Sequence, residues 1–132
     1  EYWQIDGIPS RIHTCYTGIA GYFMRGVAGI RPDPAEWGMK RFMIKPQLVG
    51  DLKWAKATSA SAYGPIRSEW KRDGTTVTFE IEVPPNTTAT VFIPVKEPAD
   101  VLEKDGLKPL RHEDGCAVFE MGAGVYHFVS TR

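Results

Sequence analysis

The sequence predicts a mainly β protein, an antiparallel β-sandwich preceded by one helix, and three observations lead there. From Met39 onward apolar and polar residues alternate with period two, the pattern of strands with one buried face. Turn signals such as Gly64-Pro65, Asp73-Gly74 and Pro84-Pro85-Asn86 recur every eight to twelve residues or so. Ahead of them lies a single segment whose apolar residues recur with a helical period.

That segment runs from about Thr14 to Ala28. Tyr16, Ile19, Ala20, Phe23, Met24 and Val27 fall on one apolar face, and Ser10 is a plausible cap. Gly18, Gly21 and Gly26 each cost a helix roughly 1 kcal/mol against Ala, so they imply close packing against neighbours or approach to a ligand. Gly29 ends the helix, and Pro32 and Pro34 keep it from resuming. The helix expects neighbours that this chain does not contain.

The strands follow in order. Arg41–Lys45 is the first, stopped by Pro46; Leu52–Thr58 is the second; Gly64-Pro65 breaks the chain before Ile66–Arg72. Asp73-Gly74 makes a short hairpin turn into Thr76–Val83. After Pro84-Pro85-Asn86 come Ala89–Pro94 and a short strand at Asp100–Glu103. A final hairpin is expected to join Cys116–Glu120 to Gly124–Val129 across Met121-Gly122-Ala123. Trp54, Trp70, Phe79, Phe92, Phe119 and Phe128 sit at strand spacing and read as core.

Composition excludes several partners. The 132 residues suit one domain, or one small domain with an appendage. Sixteen Lys and Arg balance sixteen Asp and Glu, and the basic residues are scattered. Nucleic acid and anionic membrane, which need a basic surplus or stripe, are therefore not expected partners. No stretch approaches the roughly 20 apolar residues of a membrane helix. The start, Glu1-Tyr2-Trp3-Gln4, has neither the charge nor the apolar run of a signal peptide, and without Met it predicts a processed or excised chain. Cys15 and Cys116 are too few for a disulfide framework; Cys15 reads as a buried thiol, with a bridge as the minority option. His112 and His127 lack metal partners at useful spacing. No cofactor is expected.

Several phrases together resemble the C-terminal part of the bacterial α-L-rhamnosidases, glycoside hydrolase family 78. They are the stretch from His13 to Ala28-Gly29-Ile30, the Gly38-to-Pro46 turn and strand, Tyr63-Gly64 followed by Trp70, and Pro85-Asn86-Thr87-Thr88-Ala89. The resemblance implies that residues 1–34 are the loop and last helix of an (α/α)6 catalytic barrel and that residues 38–132 are a C-terminal β-sandwich. It also implies hydrolysis of a terminal α-L-rhamnosyl linkage with inversion. That chemistry needs two carboxyl groups roughly 6.5–9.5 Å apart, one protonated and one ionised.

Carried over residue by residue, Glu1-Tyr2-Trp3 resembles the end of the motif bearing the general base. Glu1 would then be that base, and His13 and Trp3 would contact the sugar. The family's Asn before this His is Ile12 here, and the general acid lies upstream of anything present. Asp6 reads as an ordinary loop acid. The implied partners are a rhamnose-containing glycoside, through the parent enzyme, and the rest of the barrel. The isolated chain is expected to be inactive and, with its apolar helix stripe bare, to self-associate. The rival reading is a non-catalytic carbohydrate-binding sandwich module. A pure interaction domain, with no sugar affinity anywhere, is the third.

Overall fold

Gly18–Tyr22 form a helical turn, α1, which continues as a wider π-helical turn over Phe23–Val27. The widening shows in the Ala28 N–H, which donates to the Phe23 carbonyl five residues back at 2.9 Å. The chain here is a computed structural model describing residues 18–97, 101–103 and 106–131.

Ten strands follow among the described residues. They are β1 (Ile30–Pro32), β2 (Arg41–Ile44), β3 (Trp54–Ser61), β4 (Gly64–Asp73), β5 (Thr76–Val83), β6 (Thr88–Pro94), β7 (Val101–Glu103), β8 (Arg111–Glu113), β9 (Cys116–Met121) and β10 (Gly124–Thr131). They form two five-stranded sheets, with orders β1-β2-β6-β9-β8 and β3-β4-β5-β10-β7. Pairing is antiparallel except between β2 and β6, which run parallel with Phe42 beside Ala89. A parallel pair needs a crossover, and here the crossover is the whole β3-β4-β5 meander of the other sheet.

Alternation decides which face each residue takes. Val77, Phe79, Ile81 and Val83 of β5 point inward, and Thr76, Thr78 and Glu80 point outward. Ile66, Ser68 and Trp70 of β4 do the same, as do Phe42 and Ile44 of β2. Their side chains meet in one core between the sheets, with Trp70, Phe42, Phe119 and Phe128 its largest fully buried members. Phe119 of one sheet and Phe128 of the other are 4.9 Å apart between ring centroids. That tilted contact adds about 0.5–1.5 kcal/mol beyond the area it buries. A second, smaller cluster of Phe92, Cys116 and Val118, with Met43 against it, lies on the far face of the first sheet.

The sandwich with one preceding helix is the architecture predicted, and five details differ. The last hairpin is not one: β9 and β10 belong to different sheets, and Gly122-Ala123 carries the chain across the sandwich. There the Tyr126 hydroxyl reaches back to the Gly122 carbonyl at 3.1 Å. The β4–β5 turn centres on Gly74-Thr75, one residue later than expected, because Asp73 still pairs with Thr76. Gly64-Pro65 opens β4 instead of breaking the chain, since Ser61 ties the preceding turn by accepting from the Tyr63 N–H and donating to the Gly64 carbonyl. Trp54 is 64% exposed on the outer face of the second sheet, and Phe92 sits in the smaller cluster. Finally, β1 and β8 were not anticipated; sheet pairing starts at Ile30, directly after the helix.

Candidate functional site at the helix–sandwich junction

Glu1, Trp3 and His13, with Tyr2, Asp6 and Cys15, lie outside the described residues. The described residues instead define a junction where the helix ends on the sandwich.

A helix leaves its last carbonyls without partners. Here five consecutive carbonyls are taken up one by one. The Arg25 carbonyl accepts from Arg31 Nε at 2.6 Å. Gly26 accepts from the Gln47 N–H at 3.0 Å. Val27 accepts from Trp70 Nε1 at 3.0 Å, and Ala28 from Ser68 Oγ at 2.7 Å. Gly29 accepts from the Lys45 N–H at 3.0 Å. Val27 and Ala28 are buried, so a lost donor there strands a carbonyl at a cost of about 1–3 kcal/mol.

Gly29 makes this docking possible. Its φ is +81°, and a Cβ placed on it would fall 2.3 Å from the Lys45 carbonyl carbon and the Pro46 nitrogen. Only a residue without a side chain lets the two backbones approach so closely. Arg72 braces the other side of the same region. Its guanidinium donates to the Gly50 and Leu48 carbonyls at 2.9 and 3.2 Å and lies 6.0 Å from the Trp70 ring.

Away from these caps the helix is open among the described residues. Ile19, Tyr22 and Phe23 are each half exposed or more, and space around Gly18 and Gly21 is open. A groove runs along these glycines, flanked by Arg25, Arg31 and Gln47. Gly26 is the exception, because Tyr22 packs its ring over it.

The outer face of the second sheet carries charge. Glu69 receives Lys56 Nζ at 2.8 Å and Lys71 Nζ at 2.9 Å. Hydrogen bonds from those two lysines hold its carboxyl below the ordinary range, against a smaller opposing effect of burial. The same contact raises the Lys71 ammonium. Glu80 stands across from Glu69 and has His127 Nδ1 at 3.8 Å; Arg67 meets Glu82 at 3.2 Å. Trp54 lies beside Lys71 on this face. No group of three or more His, Cys, Asp or Glu side chains placed for a metal occurs among the described residues.

Residues 29–108 match the family described as the bacterial alpha-L-rhamnosidase C-terminal domain. The chain belongs to that family. An alpha-L-rhamnosidase of Streptomyces avermitilis is 38% identical over 126 residues, covering 96% of this chain and 12% of the relative. The crystal structure of Streptomyces avermitilis alpha-L-rhamnosidase complexed with L-rhamnose superposes with a TM-score of 0.81 at 36% identity, over 90% of this chain and 11% of that one. The alpha-L-rhamnosidase from Dictyoglumus thermophilum gives 0.79 at 26% identity, over 91% and 14%. The chain thus spans only 9–12% of the length of the relatives it matches in sequence.

In this rhamnosidase C-terminal domain the phrases that carry the resemblance have structural work. Trp70, after Tyr63-Gly64, holds the Val27 carbonyl. In Pro85-Asn86-Thr87-Thr88-Ala89, Asn86 takes a left-handed turn and buried Thr87 donates to the Pro84 carbonyl at 2.7 Å. Ser68 and Arg31 were missed in the sequence. Ser68 did leave a signal: a hydroxyl at the inward phase of a strand, between Ile66 and Trp70, must find a buried acceptor. Arg31 left none, since one arginine among sixteen basic residues looks like solubility.

Proposed function

We propose that this chain is the C-terminal portion of an inverting α-L-rhamnosidase. In this reading residues 1–29 finish the helical catalytic barrel, and the sandwich, whose task is structural, begins at Ile30 rather than at residue 38 as the sequence suggests. The mechanical joint is Gly29, since pairing in the sandwich begins at Ile30. One observation supports the proposal beyond family membership: the helix end is held at five successive carbonyls while Ile19, Tyr22 and Phe23 stay open among the described residues. A helix so held is an element presented to something else.

The chemistry follows from the parent, not from this piece. Glu1 takes a proton from water, while a general acid elsewhere in the parent protonates the departing oxygen; His13 and Trp3 contact the sugar. The sandwich contributes position. A displacement of about 1 Å at a reacting group costs on the order of a hundredfold in rate, so a firmly held helix end protects the residues that precede it. The isolated chain has one half of the acid/base pair and turns over nothing; its bare helix face drives self-association.

The test is an aryl α-L-rhamnoside offered to the full-length parent and to the isolated chain, with the first-formed anomer read by NMR. The expected result is inverted product from the parent and none from the chain. Retention in the parent, or turnover by the chain, would overturn the reading. A second reading, sugar binding on the outer sheet face, is favoured by exposed Trp54 beside Lys71. Shifts around Trp54 on titration with L-rhamnose would support it over a purely structural role.

A further inference from the structure

The loop between β1 and β2 displays a tryptophan almost wholly to solvent: Trp37 is 95% exposed. The loop is held firmly. Asp33 accepts from the Ala35 N–H through its side chain at 2.9 Å and from the Glu36 N–H through its carbonyl at 3.1 Å. Arg41 stands 3.8 Å from both the Asp33 and the Glu36 carboxylates. The Lys40 carbonyl accepts from the Thr88 N–H at 3.0 Å, tying the loop to β6, and Met39 packs on the core. After Trp37 come two left-handed residues, Gly38 at φ +88° and Met39 at φ +61°. A left-handed non-glycine costs roughly 1–2 kcal/mol.

A braced, partly strained loop that exposes an indole resembles a preorganised contact residue. Tryptophan is the side chain most enriched where few residues carry binding, and a loop fixed beforehand loses little entropy on docking. The position of the loop indicates the partner. Both the helix end and this turn pack against β1, a strand of only three residues at the edge of the first sheet. The helix enters β1 at Ile30 and the Trp37 loop leaves it at Pro32, so the open helix side chains and Trp37 flank the same edge strand, while matched relatives carry most of their length beyond this segment.

We propose that Trp37 is a fixed anchor inserting into an apolar socket on the preceding, helical body of the same polypeptide, a second attachment beside the helix. This rests on the proposed parent enzyme. The test uses the full-length parent with Trp37→Ser, the conservative Trp37→Phe, and Trp54→Ser as a surface-tryptophan control. Trp37→Ser is expected to lower the melting temperature of the parent and to speed proteolytic cleavage between the helical body and the sandwich by about tenfold. Trp37→Phe should recover most of that, and Trp54→Ser should melt and be cleaved like wild type.

Identical melting and cleavage for Trp37→Ser and wild type would overturn the anchor. Unchanged stability with a raised KM for rhamnoside would also overturn it, by making Trp37 a substrate contact. A parent that hydrolyses no rhamnoside yet is destabilised by Trp37→Ser would remove the proposed function and leave the anchor standing.

Discussion

Ser68 and Ser130 give the most exacting test of the junction, because the fold supplies its own control. Both are serines on inward phases of the second sheet, 2% and 1% exposed. Ser68 Oγ donates to the Ala28 carbonyl at 2.7 Å; Ser130 Oγ has no hydrogen-bond partner among the described residues. Replacing either by Ala removes one oxygen and opens almost no cavity. The consequences should nevertheless have opposite signs. Ser68→Ala strands a buried carbonyl and is expected to cost about 1–3 kcal/mol. Ser130→Ala relieves a desolvated hydroxyl and is expected to be neutral or stabilising by up to about 1 kcal/mol. Urea unfolding followed by tryptophan fluorescence measures both, and in a chain of this size each kcal/mol moves the melting temperature by roughly 3–5 °C. Equal shifts in the same direction would refute the claim that Ser68 acts through the helix carbonyl.

Gly29→Ala should be far more damaging than an ordinary surface change. A left-handed φ adds roughly 1–2 kcal/mol, and backbone atoms 2.3 Å from the new Cβ cannot yield. A loss of at least about 3 kcal/mol, seen as melting and proteolysis of the junction, is expected. The Glu69 carboxyl titrates below its ordinary 4.5 because Lys56 and Lys71 bond to it. Its contribution is therefore present above the unfolded value and lost as pH falls through the lower folded one. Glu69→Gln should flatten the acid limb of the stability curve below pH 4.5, and 1 M salt should do so in part. Arg72→Met should cost about 1 kcal/mol and speed proteolysis between residues 46 and 53, where two carbonyls lose their donor.

Much of this fold was legible because β5 obeys one rule throughout. Thr76–Val83 alternates without exception, and its ends were read without error. β1 and β8 escaped for physical reasons: Pro32 argues against a strand, and Arg111–Glu113 has no apolar residue to mark a buried face. The β9–β10 corner misled because two short strands joined by a glycine-rich link look alike whether they pair or change sheets. The pairing distinguishes the cases: β9 lies between β6 and β8 in one sheet, β10 between β5 and β7 in the other. Trp54 was misplaced because its register puts it outward beside Lys71, a phase that alternation alone could not fix at a strand start. The junction was half visible: the apolar helix face with its glycines pointed to packing partners, whereas four of the five carbonyl caps come from residues 16 to 43 positions away.

The sheet change at Gly122-Ala123 bears on how the domain is made. β10 sits inside the second sheet, between β5 and β7, and pairs Thr131 with Thr76. During synthesis the β3-β4-β5 meander emerges early and can close locally, but its next strand arrives only after β6, β8 and β9 of the other sheet. A nascent chain halted before Gly124 would thus carry a gap in mid-sheet and lack Phe128, one of the largest core residues, rather than lose a dispensable edge. Premature termination of the gene at this point would yield not a slightly shorter domain but one that cannot close its interior.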